Sequence, residues 1–522
     1  MNNTFLNLAN LICLSGKRLS FAEQKGPSIV FTTSDLAKSV GALKVTNDKS
    51  LPVKTLLADS RRITEGSVFF AVKGFNCDGN QFVGDAIHRG AVAVVSENEA
   101  PKICPTTWIQ VKNMAFAKAW AAKAFYENPD ESLKTFAVTG TNGKTSVSWL
   151  IKHMLDRLGQ KCGMIGTIQY DLGGRCIPAG RTTPDSLELY AMLYQMRHAS
   201  CKSLAIEISS HSLEQSRVKG LSVDCACFTN LTQDHIDYHK TMDEYFKCKE
   251  LLFKGSVCKM PKSAAINIDD EKGAYLAKNL DKSVRLVSFA INNKDAVIRA
   301  ENLKMDSQSA TFDLVYPEGT VKNLRISMPG HYNVLNVLTA LSALYSQDID
   351  IAKAAQTLAD FKGVPGRMER VKSNAPFDIF IDYAHTDDAL KNGLSMLKSV
   401  TKKRLLVVFG CGGKRDRTKR PKMVAAVQKY ADFAWATSDN PRGEDIAQIF
   451  ADMKTGVVDD SKIEFVENRR RAINMAISQA REGDCILIAG KGHETFQELK
   501  DTIIPFDDKK VAEELLSLRE LI

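Results

Sequence analysis

Residues 139–146, TGTNGKTS, form a glycine-rich segment that follows a short apolar run. Gly140 and Gly143 would let several backbone N–H groups point at one anion, and a helix starting here would add its positive end. Lys144 is placed to reach the outer phosphates of a nucleotide, and the Thr145 hydroxyl is placed to bind Mg²⁺. Only two residues separate the glycines, so this is a shorter variant of the common phosphate loop. A glycine turn with a surface lysine is the alternative, but the order of strand, loop, lysine and helix favours nucleotide binding.

Two further polar groups follow predicted strands. Glu207 ends the apolar run 204–208, and His235 comes shortly after the run 225–229. Ligands of open α/β sheets gather at the carboxyl ends of the strands, and hard oxygen ligands suit Mg²⁺. His235 and His239 have the spacing of a zinc pair on one helix face, but no third ligand follows nearby. The sequence therefore favours one histidine completing a magnesium site.

The elements that must position these residues alternate short apolar runs with amphipathic stretches. The run 146–158 has apolar residues at helical spacing and ends before Gly159, which predicts a helix directly after the loop. Strands are predicted at 68–72, 91–95, 135–138, 164–168, 204–208, 225–229, 264–268, 379–382, 405–409, 433–437 and 485–488. Alternating strands and helices predict an α/β protein whose parallel sheets carry helices on both faces.

The 522 residues suggest about three domains, at roughly 150 residues each. We expect an N-terminal mixed α/β domain at 1–131, in which residues 1–33 form an extra leading segment, either a short helix or a frayed tail. A central P-loop-type ATPase domain with a parallel sheet should cover 132–361. A C-terminal Rossmann-like domain should cover 362–522, after a hinge at 363–366 (GVPG).

The composition is that of an ordinary globular protein, with 44% apolar and 25% charged residues. No run approaches the ~20 apolar residues of a membrane helix. The net charge of +9 hints at anionic partners. Twelve scattered cysteines without a CxxC pair indicate reduced thiols in a cytoplasmic enzyme. Near the N-terminus the positive charges follow the apolar residues, the reverse of a secretory signal.

Nine short strings occur in order along most of the chain, and together they resemble the Mur ligases of peptidoglycan synthesis. The strings are TGTNGKTS, EISSHSLEQSR, FTNLTQDHIDYH, GHYNVLN, GRMER, DYAHTDDAL, FGCGGKRDRTKRP, DNPR and AGKGHE. The resemblance implies an ATP-dependent ligase that phosphorylates the terminal carboxylate of a UDP-linked peptide. The amine of an incoming amino acid then attacks the acyl phosphate, with ATP and Mg²⁺ required. Such transfer depends on positioning and charge neutralisation, so Ser209 is not expected to be a nucleophile.

The resemblance also implies roles for individual residues. ATP phosphates would bind Gly140, Thr141, Asn142, Gly143, Lys144, Thr145 and Ser146, and the nucleotide would be approached by Asn333, Arg367 and Asp382. Mg²⁺ would be held by Thr145, Glu207 and His235. Lys249 matches the position of a carbamylated lysine, which would act as a further metal ligand. Lys144, Lys249, Glu207 and His235 would thus form the catalytic group.

The implied substrates are UDP-N-acetylmuramoyl-dipeptide, bound partly by the N-terminal domain, and meso-diaminopimelate. The first would contact Ser60, Phe75, Asn76, Cys77, Thr182, Thr183, Ser209, Gln215 and Arg217. The second would contact Arg415, Asp439, Asn440, Pro441, Arg442, Gly490 and Glu494. Arg442 would pair with the far carboxylate of diaminopimelate, and Glu494 would receive its ammonium. A plain Asn-Pro turn with an exposed arginine is the alternative for 439–442, and lysine is the alternative amino acid.

Five cations lie among residues 414–420: Lys414, Arg415, Arg417, Lys419 and Arg420. Such clusters usually form a solvated face, and this one lacks interleaved aromatic residues for stacking bases. We therefore expect it to serve small anionic ligands, not a nucleic acid. A folylpolyglutamate-type ligase would share the phosphate loop, but the N-terminal domain would be superfluous there. A non-catalytic scaffold could lose Lys144, Glu207 or Lys249, and all three are present. The sequence leaves the oligomeric state open, with a monomer as the working expectation.

Overall fold

The computed structural model describes residues 30–74, 77–306 and 308–521. The predicted leading helix or tail, and the candidate residues Phe75 and Asn76, lie outside this part of the chain.

The strands are β1 Lys44–Thr46, β2 Thr55–Leu57, β3 Ser67–Phe70, β4 Ala91–Ser96, β5 Thr107–Gln110, β6 Lys134–Thr139, β7 Cys162–Ile165, β8 Gln169–Asp171, β9 Cys176–Pro178, β10 Ser203–Glu207, β11 Cys225–Phe228, β12 Ser263–Asn267, β13 Arg285–Ala290, β14 Ile298–Met305, β15 Ala310–Tyr316, β16 Gly319–Ile326, β17 Glu369–Arg370, β18 Asp378–Asp382, β19 Leu405–Cys411, β20 Phe433–Ser438, β21 Ile463–Val466, β22 Cys485–Ala489, β23 Phe496–Glu498 and β24 Ile503–Pro505.

Sixteen α-helices alternate with these strands in the described residues. They are α1 Thr33–Ser39, α2 Val83–His88, α3 Met114–Phe125, α4 Lys144–Arg157, α5 Ser186–His198, α6 Ser210–Glu214, α7 Ile236–His239, α8 Met242–Glu250, α9 Glu271–Lys278, α10 His331–Tyr345, α11 Ile351–Gln356, α12 Asp387–Val400, α13 Lys419–Tyr430, α14 Ile446–Lys454, α15 Arg469–Gln479 and α16 Asp508–Ser517. Within the described part of the chain, no helix combines the length and apolar character needed to cross a membrane.

The first unit contains a five-stranded sheet with the order β1-β5-β4-β3-β2. Strands β2 to β5 are parallel, and β1 is antiparallel to β5. The predicted strands at 68–72 and 91–95 correspond to β3 and β4. Helix α3 packs on α5 of the central unit, which joins the two units side by side.

The central sheet has eleven strands in the order β16-β15-β14-β13-β12-β11-β6-β10-β7-β8-β9. Strands β13, β12, β11, β6, β10 and β7 run parallel. Alternate residues of β6 enter opposite cores: Phe136 and Val138 pack with α4 and α10, whereas Ala137 packs with α5. Near-continuous apolar strands are expected where helices cover both faces of a parallel sheet. Antiparallel strands β8, β9, β15 and β16 extend this sheet at its two edges, and the sequence analysis did not predict them.

The third unit has a six-stranded sheet with the order β17-β18-β22-β19-β20-β21, parallel except for β17. Two apolar clusters cover its two faces. The predicted α/β class with three domains and a central parallel sheet is confirmed. The boundaries near residues 131 and 362 stay predictions. In all three units the loops after parallel strands meet at one sheet edge, which is where ligands of such sheets bind.

Candidate active site

The phosphate loop lies between β6 and α4, as predicted. Helix α4 begins at Lys144, and Gly143 precedes it with φ of 87°. A Cβ on Gly140, whose φ is 146°, would lie 1.9 Å from Thr229 Oγ1. A Cβ on Gly143 would lie 2.3 Å from Asn336 Oδ1. Both positions therefore require glycine, because the loop is pressed against neighbouring elements on both sides.

The loop is held in shape by the segment that follows β11. Asn230 accepts hydrogen bonds from Asn142 N at its Oδ1 (3.0 Å) and from Thr141 N at its carbonyl oxygen (2.9 Å). The Thr229 hydroxyl donates to the carbonyl oxygen of Asn142 at 2.6 Å. The backbone of the loop is thus ordered by the protein itself, before any nucleotide is bound.

Two lysine side chains converge on one carbonyl of this loop. Lys144 Nζ donates to the carbonyl oxygens of Gly140 at 2.9 Å and Thr141 at 2.8 Å. Lys249 Nζ, from α8, donates to the same Gly140 oxygen at 2.8 Å, and its side chain is almost completely buried. Burial lowers the pKa of both amines, and the neighbouring Lys144 lowers the pKa of Lys249 further, well below its ordinary value.

Glu207 lies at the end of β10 beside the loop, and only 1% of its surface is exposed. Its carboxylate accepts hydrogen bonds from Thr145 Oγ1 at 3.0 Å and from Thr167 N and Oγ1 at 2.8 and 2.9 Å. These partners are neutral, so they orient the carboxylate without compensating its charge. A buried carboxylate beside a hydroxyl at a phosphate loop fits a hard divalent cation such as Mg²⁺.

His235 precedes α7 with a left-handed backbone, φ 54°, so it lies outside that helix. The His235 side chain is partly exposed, and its Nε2 lies 3.4 Å from Asp234 Oδ2. Partial desolvation and the nearby Lys144 and Lys249 lower the pKa of His235 to about 4 against the opposing effect of Asp234, which favours a neutral ring that can bind a metal ion. His239 Nε2 instead contacts Ser210 Oγ at 2.9 Å. The two histidines therefore do not share one helix face. Within the described residues, no cluster of three or more His, Cys, Asp and Glu side chains is arranged as a metal site. Mg²⁺ commonly keeps water and phosphate oxygens as ligands, so it does not need such a cluster.

The third unit reaches the phosphate loop through Arg367 and Asp388. Arg367 Nη2 donates to Thr145 Oγ1 at 3.4 Å, and Asn142 Nδ2 donates to Asp388 Oδ2 at 3.2 Å. Asp382 accepts from Met368 N at 2.7 Å, next to Arg367 in the chain, and burial raises the pKa of this carboxyl. Asn333 is buried in α10, where its amide donates to the carbonyl oxygen of Pro329.

A group of hydrogen-bonded polar residues of the central unit continues from Glu207. Thr183 Oγ1 donates to the Glu207 carbonyl oxygen at 2.8 Å and lies 3.4 Å from Ser209 Oγ. Arg217 donates from Nη1 to the Thr183 carbonyl oxygen and from Nε to Gln215 Oε1. Thr182 connects to the same group through a hydroxyl contact with Thr167 at 3.1 Å. The structure thus brings together all the candidate substrate residues of the central unit.

The two described candidates of the first unit lie in its loops. Ser60 begins the short 3₁₀-helix Ser60–Arg62 and is buried, whereas Cys77 is exposed.

Residues Asp439 to Arg442 follow β20 and form a second polar pocket with the loop after β22. Arg442, with φ of 49°, donates from Nε to Glu498 Oε2 at 2.9 Å. Asn440 Nδ2 donates to Glu494 Oε2 at 2.8 Å. Pro441 packs against Gly413, where a Cβ would lie 1.9 Å from the Pro441 carbonyl oxygen.

Gly490 and Asp439 meet at the floor of this pocket. A Cβ on Gly490 would lie 2.7 Å from Asp439 Oδ2, and that buried oxygen has no hydrogen-bond partner among the described residues. Arg415, on the loop after β19, is exposed. The pocket therefore presents charges of both signs, which suits a ligand end that carries both an amino group and a carboxylate.

The expectation that all five cations of 414–420 serve ligands is wrong for Arg420. Its side chain is fully buried and pairs with Glu444 at 2.8 Å and Asp452 at 2.7 Å. Arg420 also donates to the Gly412 carbonyl oxygen, and Glu444 accepts from Lys414 N. Arg420 therefore ties two loops of the pocket together. A basic run gives no sign of which of its members turns inward.

Sequence reasoning also missed Lys491 and Glu498, although both lie in or next to the AGKGHE string. Lys491 is fully buried and pairs with Glu494 at 2.9 Å, and Glu498 is the partner of Arg442. The spacing of three between Lys491 and Glu494 was the available signal, but this pair sits in a turn, where spacing alone predicts no contact.

Comparison with known proteins defines the class. Residues 52–129 match the Mur ligase family catalytic domain, residues 138–344 the Mur ligase middle domain, and residues 366–492 the Mur ligase glutamate ligase domain. The chain belongs to the Mur ligase family, an ATP-dependent class of amide-bond-forming ligases, as the sequence strings predicted.

Individual relatives point to one branch of this family. The UDP-N-acetylmuramoyl-L-alanyl-D-glutamate–2,6-diaminopimelate ligase 1 of Clostridium acetobutylicum is 40% identical over 486 residues, covering 92% of this chain and 99% of the relative. The corresponding ligase of Geobacillus thermodenitrificans is 43% identical over 465 residues, covering 88% and 94%. A solved structure of a ligase with the same name is 30% identical, with a TM-score of 0.66, covering 94% and 100%.

Replacing Gly140 with alanine should weaken nucleotide binding by at least about tenfold, because the new Cβ would push the loop away from Thr229. Titration with a fluorescent ADP analogue measures the effect. Gly84→Ala is the matched control, since nothing lies within 4 Å of that Cβ. Unchanged affinity in Gly140→Ala would show that the loop does not cradle the phosphates.

Proposed function

We propose that this protein joins meso-diaminopimelate to UDP-N-acetylmuramoyl-L-alanyl-D-glutamate at the expense of ATP, through an acyl phosphate, in peptidoglycan precursor synthesis. The observation that carries the proposal is the continuity of three groups: the phosphate loop, the Glu207–Thr183–Arg217 group, and Arg367 in contact with Thr145. Lysine as the added amino acid is the second candidate. The likeness to diaminopimelate ligases at 40% to 43% identity and the mixed charges of the second pocket favour diaminopimelate.

A carboxylate is a poor electrophile, and phosphorylation by ATP gives it a good leaving group. The carboxylate oxygen attacks the γ-phosphorus, ADP leaves, and the amine then displaces phosphate from the acyl carbon. Such transfer needs positioning and charge neutralisation more than a protein nucleophile. We assign the positioning of the phosphates to Lys144 and the N–H groups of residues 140–146, and the positioning of the UDP-peptide to Thr182, Thr183, Ser209, Gln215 and Arg217, with Ser60, Phe75, Asn76 and Cys77.

The metal site in this proposal consists of Thr145, Glu207 and His235, with Lys249 as a carbamate. Bound Mg²⁺ would neutralise charge that builds up on the transferred phosphoryl group. Carbamylation requires a neutral amine, whose nitrogen adds to CO₂ and releases one proton. The burial of Lys249 and its closeness to Lys144 support a neutral amine at this position. The carbamate would bring a negative charge to a place where two amines otherwise crowd one carbonyl oxygen.

Arg367, Asn333 and Asp382 are assigned to the nucleotide, so the third unit would close over ATP. Gly366 supports a close fit at this hinge, since its Cβ would lie 2.1 Å from His493 N. The amino acid is assigned to Arg415, Asp439–Arg442, Gly490 and Glu494. We place the reaction in the cytoplasm, because all eleven described cysteines are free thiols.

Lys249→Ala should abolish ligation while leaving ADP binding within about twofold, because only the metal bridge is lost. Phosphate release measures the reaction, and fluorescent ADP titration measures binding. Added short carboxylates should restore part of the activity by occupying the vacated space. Lys247→Ala, on the same helix but exposed, is the control. Normal turnover in Lys249→Ala would disprove the role of this side chain.

An amino-acid panel tests the function itself, using UDP-N-acetylmuramoyl-dipeptide, ATP and Mg²⁺ with phosphate release as the readout. meso-Diaminopimelate should be preferred over L-lysine by at least about a hundredfold in kcat/KM, because lysine has no second carboxylate to pair with the Arg442 guanidinium. Arg442→Ala should raise the KM for diaminopimelate far more than the KM for ATP. Preference for lysine, or equal changes in both KM values, would contradict the assignment of the amino acid.

A further inference from the structure

Lys491 is a buried ammonium to which the proposed chemistry assigns no role. It lies in the loop after β22, and none of its side-chain surface is exposed. Its Nζ donates to Glu494 Oε2 at 2.9 Å and to Asn440 Oδ1 at 3.1 Å. Burying an ammonium costs several kcal/mol unless it is well paired, and an apolar side chain could fill the same space. The charge itself therefore needs an explanation.

The hydrogen bonds of Lys491 continue to Arg442. Asn440 Oδ1, which accepts from Lys491, also accepts from Glu498 N at 2.9 Å. Glu498 in turn accepts from Arg442 twice, from Nε at its side chain and from the backbone N at its carbonyl oxygen. One ammonium is thus connected to both side chains assigned to the far end of the amino acid, Glu494 and Arg442.

The net charge of this network affects which amino acid the pocket accepts. Lys491 and Arg442 carry two positive charges, and Glu494 and Glu498 carry two negative charges. Arg415 and Asp439 add one charge of each sign, Arg415 at the exposed edge and Asp439 at the buried floor. A net neutral, largely desolvated pocket matches an end group with both ammonium and carboxylate, whereas a lone ammonium would bring an uncompensated charge. Without Lys491 the pocket would be negative and would accept a lone ammonium.

The hydrogen bonds of Glu494 agree with this effect of Lys491 on the charge of the pocket. Its Oε2 already accepts from Lys491 and from Asn440 Nδ2. Its Oε1 is the oxygen left for the ammonium of the amino acid. Lys491 therefore fixes which oxygen of the carboxylate is left for the ligand and offsets the negative charge of Glu494.

We propose that Lys491 is the positioning and specificity-determining residue of this pocket, which sets its charge so that diaminopimelate is accepted and lysine rejected. This inference rests on the proposed function and deepens it. Lys491 acts through Glu494 and Asn440, and it is not assigned any contact with the reacting atoms.

The test compares Lys491→Met, Lys491→Gln and Lys491→Arg in the full chain, with exposed Lys462→Met as the control. In both neutral variants the KM for diaminopimelate should rise at least about tenfold, while the KM values for ATP and the UDP-peptide stay within about twofold. The ratio of kcat/KM for diaminopimelate to that for L-lysine should fall at least about tenfold. Lys491→Arg should recover much of that ratio, because it restores the charge.

The outcomes separate this inference from the proposed function. If the wild-type protein does not use diaminopimelate, the proposed function fails. If the wild-type protein does use it and the neutral variants keep the wild-type ratio, only the role of Lys491 is disproved. Equal changes in all KM values would also overturn the inference, as would failure of both neutral variants to fold, since Lys491 would then be a folding requirement.

Discussion

Two buried lysine amines, those of Lys144 and Lys249, donate to the same backbone oxygen of Gly140. Burial lowers the pKa of both amines, and the closeness of Lys144 lowers the pKa of Lys249 further. The neighbouring Glu207 carboxylate takes its own hydrogen bonds from neutral groups. Charges taken out of water need partners, and here they are supplied only in part by the protein. A bound polyphosphate with its cation would supply the missing charged partners. The rest of the fold positions the groups that bind it.

The third unit also contributes charged groups to the nucleotide site. Its contacts with the phosphate loop pass through Arg367 and Asp388, and the loop that carries Lys491 and Glu494 packs against the hinge at Gly366. The amino-acid pocket and the nucleotide site are therefore connected through the hinge and through these contacts. Closure of the third unit can order both sites together, which suits a reaction whose second step must follow the first without admitting water.

Much of this arrangement could be predicted from the sequence. The parallel strands are nearly all apolar, and the buried positions of α4 recur at helical spacing, so local pattern and tertiary structure agree. The strings that resemble Mur ligases include candidate residues that the structure places after β6, β10, β20 and β22, at the carboxyl ends of parallel strands. The phosphate loop was predictable because its glycines and lysine act over a few residues of chain.

The features that the sequence did not predict have a common physical cause. Each depends on partners that are distant in the chain. Strand β15 alternates buried with partly exposed residues and β16 is mostly exposed, and both have mixed sequences, so their pairing follows from the sheet they extend. Arg420 turns inward because Glu444, in the loop after β20, and Asp452, in α14, receive it. Lys491 is buried for the same reason, through Asn440 some fifty positions earlier in the chain.

The most direct test of the central claim is a crystal structure with a non-hydrolysable ATP analogue, Mg²⁺ and UDP-N-acetylmuramoyl-dipeptide. The γ-phosphorus should lie within about 3.5 Å of the terminal carboxylate oxygen of the dipeptide, with Lys144 Nζ moved from Gly140 to the phosphates. A γ-phosphorus more than about 10 Å from that oxygen in every arrangement of the three units would contradict phosphoryl transfer at this site.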